Sequence, residues 1–429
     1  MKTTTKTVVT TILGFTLAAA ANSAPNDSTA ILSLEEAIEA TISFNPALNV
    51  SDWKIIRADE RQDQAGSWMD PTLKFGMMNV PIESRLFNQE PMTGKQISLK
   101  QKVPFPGKLG LRSAAASYEV MATKEDRLEL EGMLVREVKE DYFNLYLSDR
   151  SIGINKENIG LLKSFVEIAE TRYSVGRGIQ QDVLKAQVTL SKFEERLINL
   201  NFDRKKIVAR LNTLMNRSPQ TPIIISGTLT KTENILSESE LTAMVEENRP
   251  LLKAIKHRIK SREKMVKYSR KLFLPDLSVG VAYTQRDELT GVTMGKGADF
   301  LSVNVGFSLP IKPGNRQSSK IEEFEASVRI SEESYKDALN KVKRDIKINY
   351  ADIDKGNELL ELYETRLLPQ ARQSLNSALS GYQVDKVDFI TLLNNQVTLF
   401  EHQINYYQIL SNYEKSIARL EATAGIKLN

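Results

Sequence analysis

The chain repeats itself. Pro46, Pro71 and Gly76 recur as Pro250, Pro275 and Gly280, each displaced by 204 positions without a gap. Ser33-Leu34-Glu35-Glu36 stands opposite Ser237-Glu238-Ser239-Glu240, and Val103-Pro104 with Pro106-Gly107 answers Leu309-Pro310 with Pro313-Gly314. Tyr142 answers Tyr350, Tyr173-Ser174-Val175-Gly176 answers Tyr382-Gln383-Val384-Asp385, and Gln187-Val188-Thr189-Leu190 answers Gln396-Val397-Thr398-Leu399. An ordered series whose displacement drifts by only five residues marks two copies of one structural unit. The expected repeats are 25–214 and 237–429, joined by a connector at 215–236.

Each copy carries the same parts. A helical stretch, 34–67 or 237–272, is interrupted at Asn45-Pro46 or Arg249-Pro250, because proline cannot donate the intrahelical hydrogen bond. Two alternating segments follow, predicting strands over about 72–80 and 95–104, then 276–285 and 299–309. Long stretches with three- and four-residue apolar spacing then predict helical hairpins over about 107–214 and 315–424. Only Pro369 interrupts the run after Pro313. A helix of the expected length reaches roughly 100 Å, far beyond a globular core.

Alternation fits two environments. In a soluble sandwich the apolar face meets a core; in a membrane barrel it meets lipid. Strand geometry alone favours the sandwich, and four strands are too few to close a barrel within one chain. Three copies would supply twelve.

The N-terminus reads as a secretory signal peptide over 1–24: Lys2 and Lys6, an apolar run from Val8 to Ala20, then small residues to Ala24. The chain has no cysteine, which excludes disulfides, thiolate metal sites and a lipid-anchoring cysteine. His257 and His402 have no paired ligand nearby and are expected at the surface or in packing, so no metal site and no cofactor are expected. Net charge of +4 gives no basis for nucleic-acid binding. No phosphate-binding loop, nucleophile motif or paired catalytic carboxylate supports an enzyme. Met69, Met77, Met78 and Met92 flank the first strand pair, where gap filling or lipid contact explains them better than soft-metal transfer.

On the repeats, the Tyr-Ser-Val-Gly turn at 173–176, Asp182-Val183-Leu184 and the corner Val103-Pro104-Phe105-Pro106-Gly107-Lys108, the chain resembles the TolC-type outer-membrane factors. The Phe-Pro-Gly-Lys corner is most similar to their heavy-metal efflux branch. The resemblance implies a mixed, mainly α fold: a trimeric 12-stranded transmembrane β-barrel, four strands per chain, continuing into an α-helical coiled-coil barrel across the periplasm. It implies a passive efflux duct in the outer membrane, partnered by a periplasmic adaptor and an inner-membrane RND-type pump. A protein-secretion duct and a periplasmic coiled-coil protein are the alternatives.

The resemblance also implies a periplasmic latch between Asp182 and Tyr382, matched by motif, although Asp182 as a helix cap and Tyr382 as part of the apolar stripe explain both without it. An arginine five residues after the tyrosine completes this latch in relatives; here Val387 stands there. Relatives' aperture aspartates are replaced by Thr391 and Asn394, with Asp385 and Asp388 as substitute gate candidates unless they are simply solvated. Val175, Gly176, Gly178 and Val384 are candidates for adaptor or pump contact at the tips. The strand-to-helix corners fall on Pro104, Pro106, Gly107, Pro310, Pro313 and Gly314.

Overall fold

A computed structural model describes residues 31–233, 236–289, 298–310 and 316–428. The expected signal peptide and the corner residues Pro313 and Gly314 lie outside them.

Helices α1 (Leu34–Phe44) and α2 (Pro46–Gly66) are followed by strands β1 (Thr72–Met78) and β2 (Gly94–Val103), then by α3 (Lys108–Ser174) and its return helix α4 (Gln180–Leu214). The order recurs: α5 (Glu238–Asn248), α6 (Pro250–Lys271), β3 (Asp276–Gln285), β4 (Phe300–Ser308), α7 (Arg316–Leu362) and α8 (Leu368–Gln383), with α9 (Phe389–Ala424) returning.

Local chemistry sets these boundaries. Ser33 and Ser237 open α1 and α5 with reciprocal caps: each hydroxyl accepts from the backbone N–H of Glu36 or Glu240, whose carboxylate accepts from the serine N–H. Asn45 and Arg249 take extended backbone before proline, ending α1 and α5. Asn45 then ties its break to the far end of the first hairpin, donating to the Leu214 carbonyl at 2.8 Å.

Pro369 does not break the second long helix. Residues Tyr363–Leu367 form a π turn in which the Leu368 N–H reaches the Tyr363 carbonyl, and α7 runs on into α8. The wider turn relieves the clash that a proline ring makes with the preceding carbonyls.

The helices lie in four lanes. The first half of α3 packs between α2 and α6, and its second half between α4 and α9. Helix α7 lines α6 and then α9. One core joins Val138, Leu145 and Tyr146 of α3 to Leu211, Ile346, Ile353, Tyr413 and Leu420, with Leu241 and Val245 of α5 beneath. A second, toward the hairpin tips, gathers Leu162, Phe165, Ala186, Phe193, Leu393 and Phe400. Among the described residues no helix is long and apolar enough to cross a membrane.

Ion pairs join the lanes as well. Arg249 meets Glu129 of α3 at 2.5 Å, both side chains largely buried. Burial pushes the Glu129 carboxyl up and the Arg249 guanidinium down, despite their mutual attraction. Arg249→Ala would strand a buried carboxylate and should destabilise the protein by about 3 kcal/mol. The double variant Arg249→Met/Glu129→Leu should recover most of that loss in a denaturant titration; no recovery would mean that the pair acts through something other than buried charge.

The four strands form one antiparallel sheet in the order β1-β2-β3-β4, with β2 and β3 joining the two repeats along its centre. Register puts Leu73 against Leu99, Leu99 against Val281 and Val281 against Val303, and likewise Phe75, Ile97, Tyr283 and Leu301 in one row. The resulting apolar face is uncovered: Phe75 is 75% and Val303 67% exposed. The opposite face carries small and polar residues, among them Lys74, Ser98, Lys100, Ser278, Gly280, Ala282 and Asn304. No second sheet covers either face among the described residues, so the sandwich favoured by alternation alone is not formed. Alternation says which face is apolar, not what meets it. Met77 lies on the apolar face and Met78 opposite it, and no group of described histidines and carboxylates could hold a metal ion.

Candidate functional site at the hairpin tips

Two tight reversals end the helical lanes. In the first, Gly176 adopts φ +73°, and at Gly178 a Cβ would press to 3.2 Å from both the Arg172 Cβ and the Tyr173 nitrogen. In the second, Asp385 takes the left-handed position at φ 57°, and Gly381 leaves the space that Val387 fills: a Cβ there would sit 2.5 Å from Val387 Cγ2. Both reversals therefore need their small or turn-forming residues.

Between them lies a groove of about 270 Å³ lined by Arg172, Gly178, Asp182, Tyr382, Asp385 and Asp388. All four gate candidates thus share one concavity. No hydrogen bond joins Asp182 to Tyr382 among the described residues. What holds the tyrosine is Arg172, near the end of α3. Its guanidinium stacks 4.1 Å from the centre of the Tyr382 ring, donates to the Tyr382 carbonyl at 3.0 Å and pairs with Asp385 Oδ1 at 2.7 Å. Tyr382 is 7% exposed, its ring 5.8 Å from that of Phe389. One cation from the first hairpin holds the end of α8 and the turn that follows it.

Sequence reasoning missed Arg172. Its one available signal was an arginine directly before the Tyr-Ser-Val-Gly turn, opposite a repeat copy with glycine at that place, Gly381. Val387, at the position where relatives carry a latch arginine, instead packs into the tip core.

The carboxylates divide the work. Asp388 is the N-cap of α9, its side chain accepting from the Thr391 N–H at 2.7 Å, which holds its carboxyl below the ordinary value. Asp182 is not a cap: Ile179 occupies that position, and Asp182 lies in the first turn of α4. Burial, and secondarily the Asp388 charge, push the Asp182 carboxyl above its ordinary value. Burial also raises the Tyr382 phenol, Arg172 opposing and Asp182 and Asp385 assisting.

A pH dependence follows. Asp182 binds its proton more tightly in this arrangement than when splayed into water, so the arrangement gains stability as pH falls from the raised value toward the ordinary 3.8. The Asp388 cap, whose carboxyl is held below 3.8, is lost only below that range. In the duct that the sequence resemblance implies, tip closure followed as conductance should therefore increase on acidification, and Asp182→Asn should flatten the profile; an unaltered profile in that variant would remove Asp182 from the titration.

The tips also present apolar side chains to solvent: Val175 and Val384, the sequence candidates, and Tyr173, Ile179 and Leu184 beside them. At the other end of α3, Gly107 takes φ +85° as N-cap, where a Cβ would meet Lys271 Nζ at 2.5 Å. The corner is fastened to the second repeat: Lys108 Nζ donates to Asp276 at 2.7 Å and to the Leu274 carbonyl at 2.8 Å, and Phe105 N donates to Asp276 at 2.9 Å. Pro104 and Pro106 flank the turn, and Pro310 lines the cleft beneath it with Lys108 and Ser308. His257 stacks on Tyr118 and His402 meets Tyr363 edge-on, both as packing residues.

Comparison with known proteins gives this geometry a family. The profile described as outer membrane efflux protein matches residues 37–217 and 241–426, most of both repeats. The chain belongs to that family. Among curated relatives, this efflux protein is 21% identical to the cobalt-zinc-cadmium resistance protein CzcC of Cupriavidus metallidurans over 94% of its own length and 92% of the relative's. It is 22% identical to toxin and drug export protein A of Aggregatibacter actinomycetemcomitans over 71% and 68%. The solved structure of the outer membrane protein VceC from Vibrio cholerae matches with a TM-score of 0.78 at 17% identity, covering 92% of this efflux protein and 97% of that chain. Family and fold are those of outer-membrane channels, and the resemblance drawn from sequence holds.

Proposed function

We propose that three copies of this chain close their sheets into a 12-stranded barrel in the outer membrane and their helical lanes into a periplasmic tunnel, forming the exit duct of a tripartite efflux system. The N-terminal segment 1–24 directs export, a periplasmic adaptor seats on the apolar tips around Val175, Gly176, Gly178 and Val384, and an inner-membrane RND-type pump supplies the energy. The observation that carries this reading is the sheet: a mainly apolar face, interrupted by Gln101 and bounded by Lys95, with nothing over it among the described residues, backed by a polar face. Such a surface is stable against lipid on one side and water on the other, and only closure satisfies the backbone of both its edges. Four lanes per chain, twelve per trimer, make a ring too wide for side chains to fill.

The tip groove serves as the gate. Asp182, Tyr382, Asp385 and Asp388 form its lining, and Arg172 is the strap that keeps the second hairpin against the first. Opening separates them.

Fractionation tests the duct: a detergent-extracted, heat-sensitive trimer in the outer membrane supports it, and a soluble monomer removes it. Cargo is tested by deletion and growth against cobalt, zinc, cadmium, copper, detergents and antibiotics, since one relative is named for metal resistance and another for toxin and drug export. Lost tolerance to metals alone assigns the heavy-metal branch; equal tolerance of every metal excludes it.

A further inference from the structure

The strands carry four lysines and one carboxylate. Lys95 stands at the end of the apolar face, where it pairs with Asp287 and lies over the Phe87 ring. The other three point to the polar face. Asp276, the single carboxylate, is shared between Lys108 at 2.7 Å and Lys102 at 3.5 Å. Lys74 and Lys100 have no acidic partner among the described residues, and both are exposed. Register brings them together: Lys100 pairs with Thr72, two residues from Lys74 on the same face, while Lys74 pairs with Ser98 and Lys100 with Gly280. Around them are serine, glycine, alanine and asparagine, none of which offsets charge.

We propose that Lys74 and Lys100 make the barrel section of the lumen selective for anions, so that anionic solutes are enriched there over bare cations. The inference rests on the barrel reading above. In the trimer the pair occurs three times, giving six unpaired ammonium groups around one water-filled passage. Charges of one sign on low-dielectric walls concentrate the field in the lumen and raise the local concentration of counter-ions. Fixed positive charge thus admits small anions and repels divalent metal ions most strongly, as the opposing energy scales with ionic charge. A metal would leave more readily within an anionic complex than as the free ion.

The absence of cysteine permits a direct test. Ser98→Cys places one thiol on the polar face, opposite Lys74. Its reaction is followed with sulfonate-bearing and trimethylammonium-bearing methanethiosulfonates of similar size, each rate normalised to that on a free thiol. The anionic reagent should react about tenfold faster, the lower range of electrostatic enrichment in charged clefts. Adding Lys74→Gln/Lys100→Gln should bring the ratio close to one. Without touching the lysines, raising salt from 0.1 to 1 M should also collapse it, since the screening length falls from about 10 to about 3 Å. A ratio near one at low salt in the Ser98→Cys protein, or a ratio unmoved by the lysine substitutions, overturns the proposal. Reaction with neither reagent has a different meaning: Ser98 then does not face water, and the barrel reading itself fails.

Discussion

Arg172→Ala should open the periplasmic end of the channel. The substitution removes the ring contact, the bond to the Tyr382 carbonyl and the pair with Asp385 at once, leaving the second hairpin attached to the first there by apolar packing and the buried Gln396–Asn158 hydrogen bond. Single-channel conductance in planar bilayers should rise several-fold, and cells carrying the variant should become sensitive to large hydrophilic antibiotics. Companion substitutions decide which contact matters. If the arginine strap holds the tip through the tyrosine ring, Tyr382→Phe stays closed while Tyr382→Ala opens. A hydroxyl-mediated latch to Asp182 would instead open in the Phe variant, and wild-type conductance from Arg172→Ala would end the strap assignment altogether. Asp385→Ala should have a smaller effect, because that carboxylate is well exposed and exposed pairs contribute little.

The second large effect belongs to the sheet. Val281 is on a central strand, flanked by Leu99 and Val303 on the apolar face. Against lipid, Val281→Arg costs about 2–4 kcal/mol per copy near the bilayer midplane, and the cost recurs in every subunit. The heat-sensitive trimer should disappear from the outer membrane. Asn304→Arg, on the opposite face and paired with Gly280, should assemble normally because its side chain reaches water. Equal tolerance of both substitutions would show that neither face meets lipid.

Much of this molecule is legible in its residues because the rules that shape it are local. Prolines at 46 and 250 end helices through a missing donor, and Asp276–Gln285 alternates as a strand because successive side chains point to opposite faces. Where alternation extends β1 to residue 80, the strand ends at Met78, and Asn79 turns the chain with φ 49°. Pro369 shows a limit of the same local rule: proline excludes the ordinary helical bond, yet one wider turn absorbs it without stopping the helix. The strap at the tip was not legible. Arg172 and Tyr382 are 210 residues apart, and no periodicity in either segment announces that α3 and α8 converge there. Motif resemblance named Asp182 and Tyr382, which line one groove, but not Arg172, the cation from the first hairpin that stacks on the tyrosine ring.

The sheet order has a genetic consequence. With β2 and β3 joined at its middle, β1 and β4 are its borders among the described residues, and in the proposed trimer each is a row of backbone groups that a sister subunit would satisfy in lipid. A chain with a damaged border would then be expected to spoil any ring it enters rather than fail alone. Under equal co-expression and random mixing of three subunits, about one ring in eight would escape the damaged product, so such an allele should behave as dominant in a merodiploid.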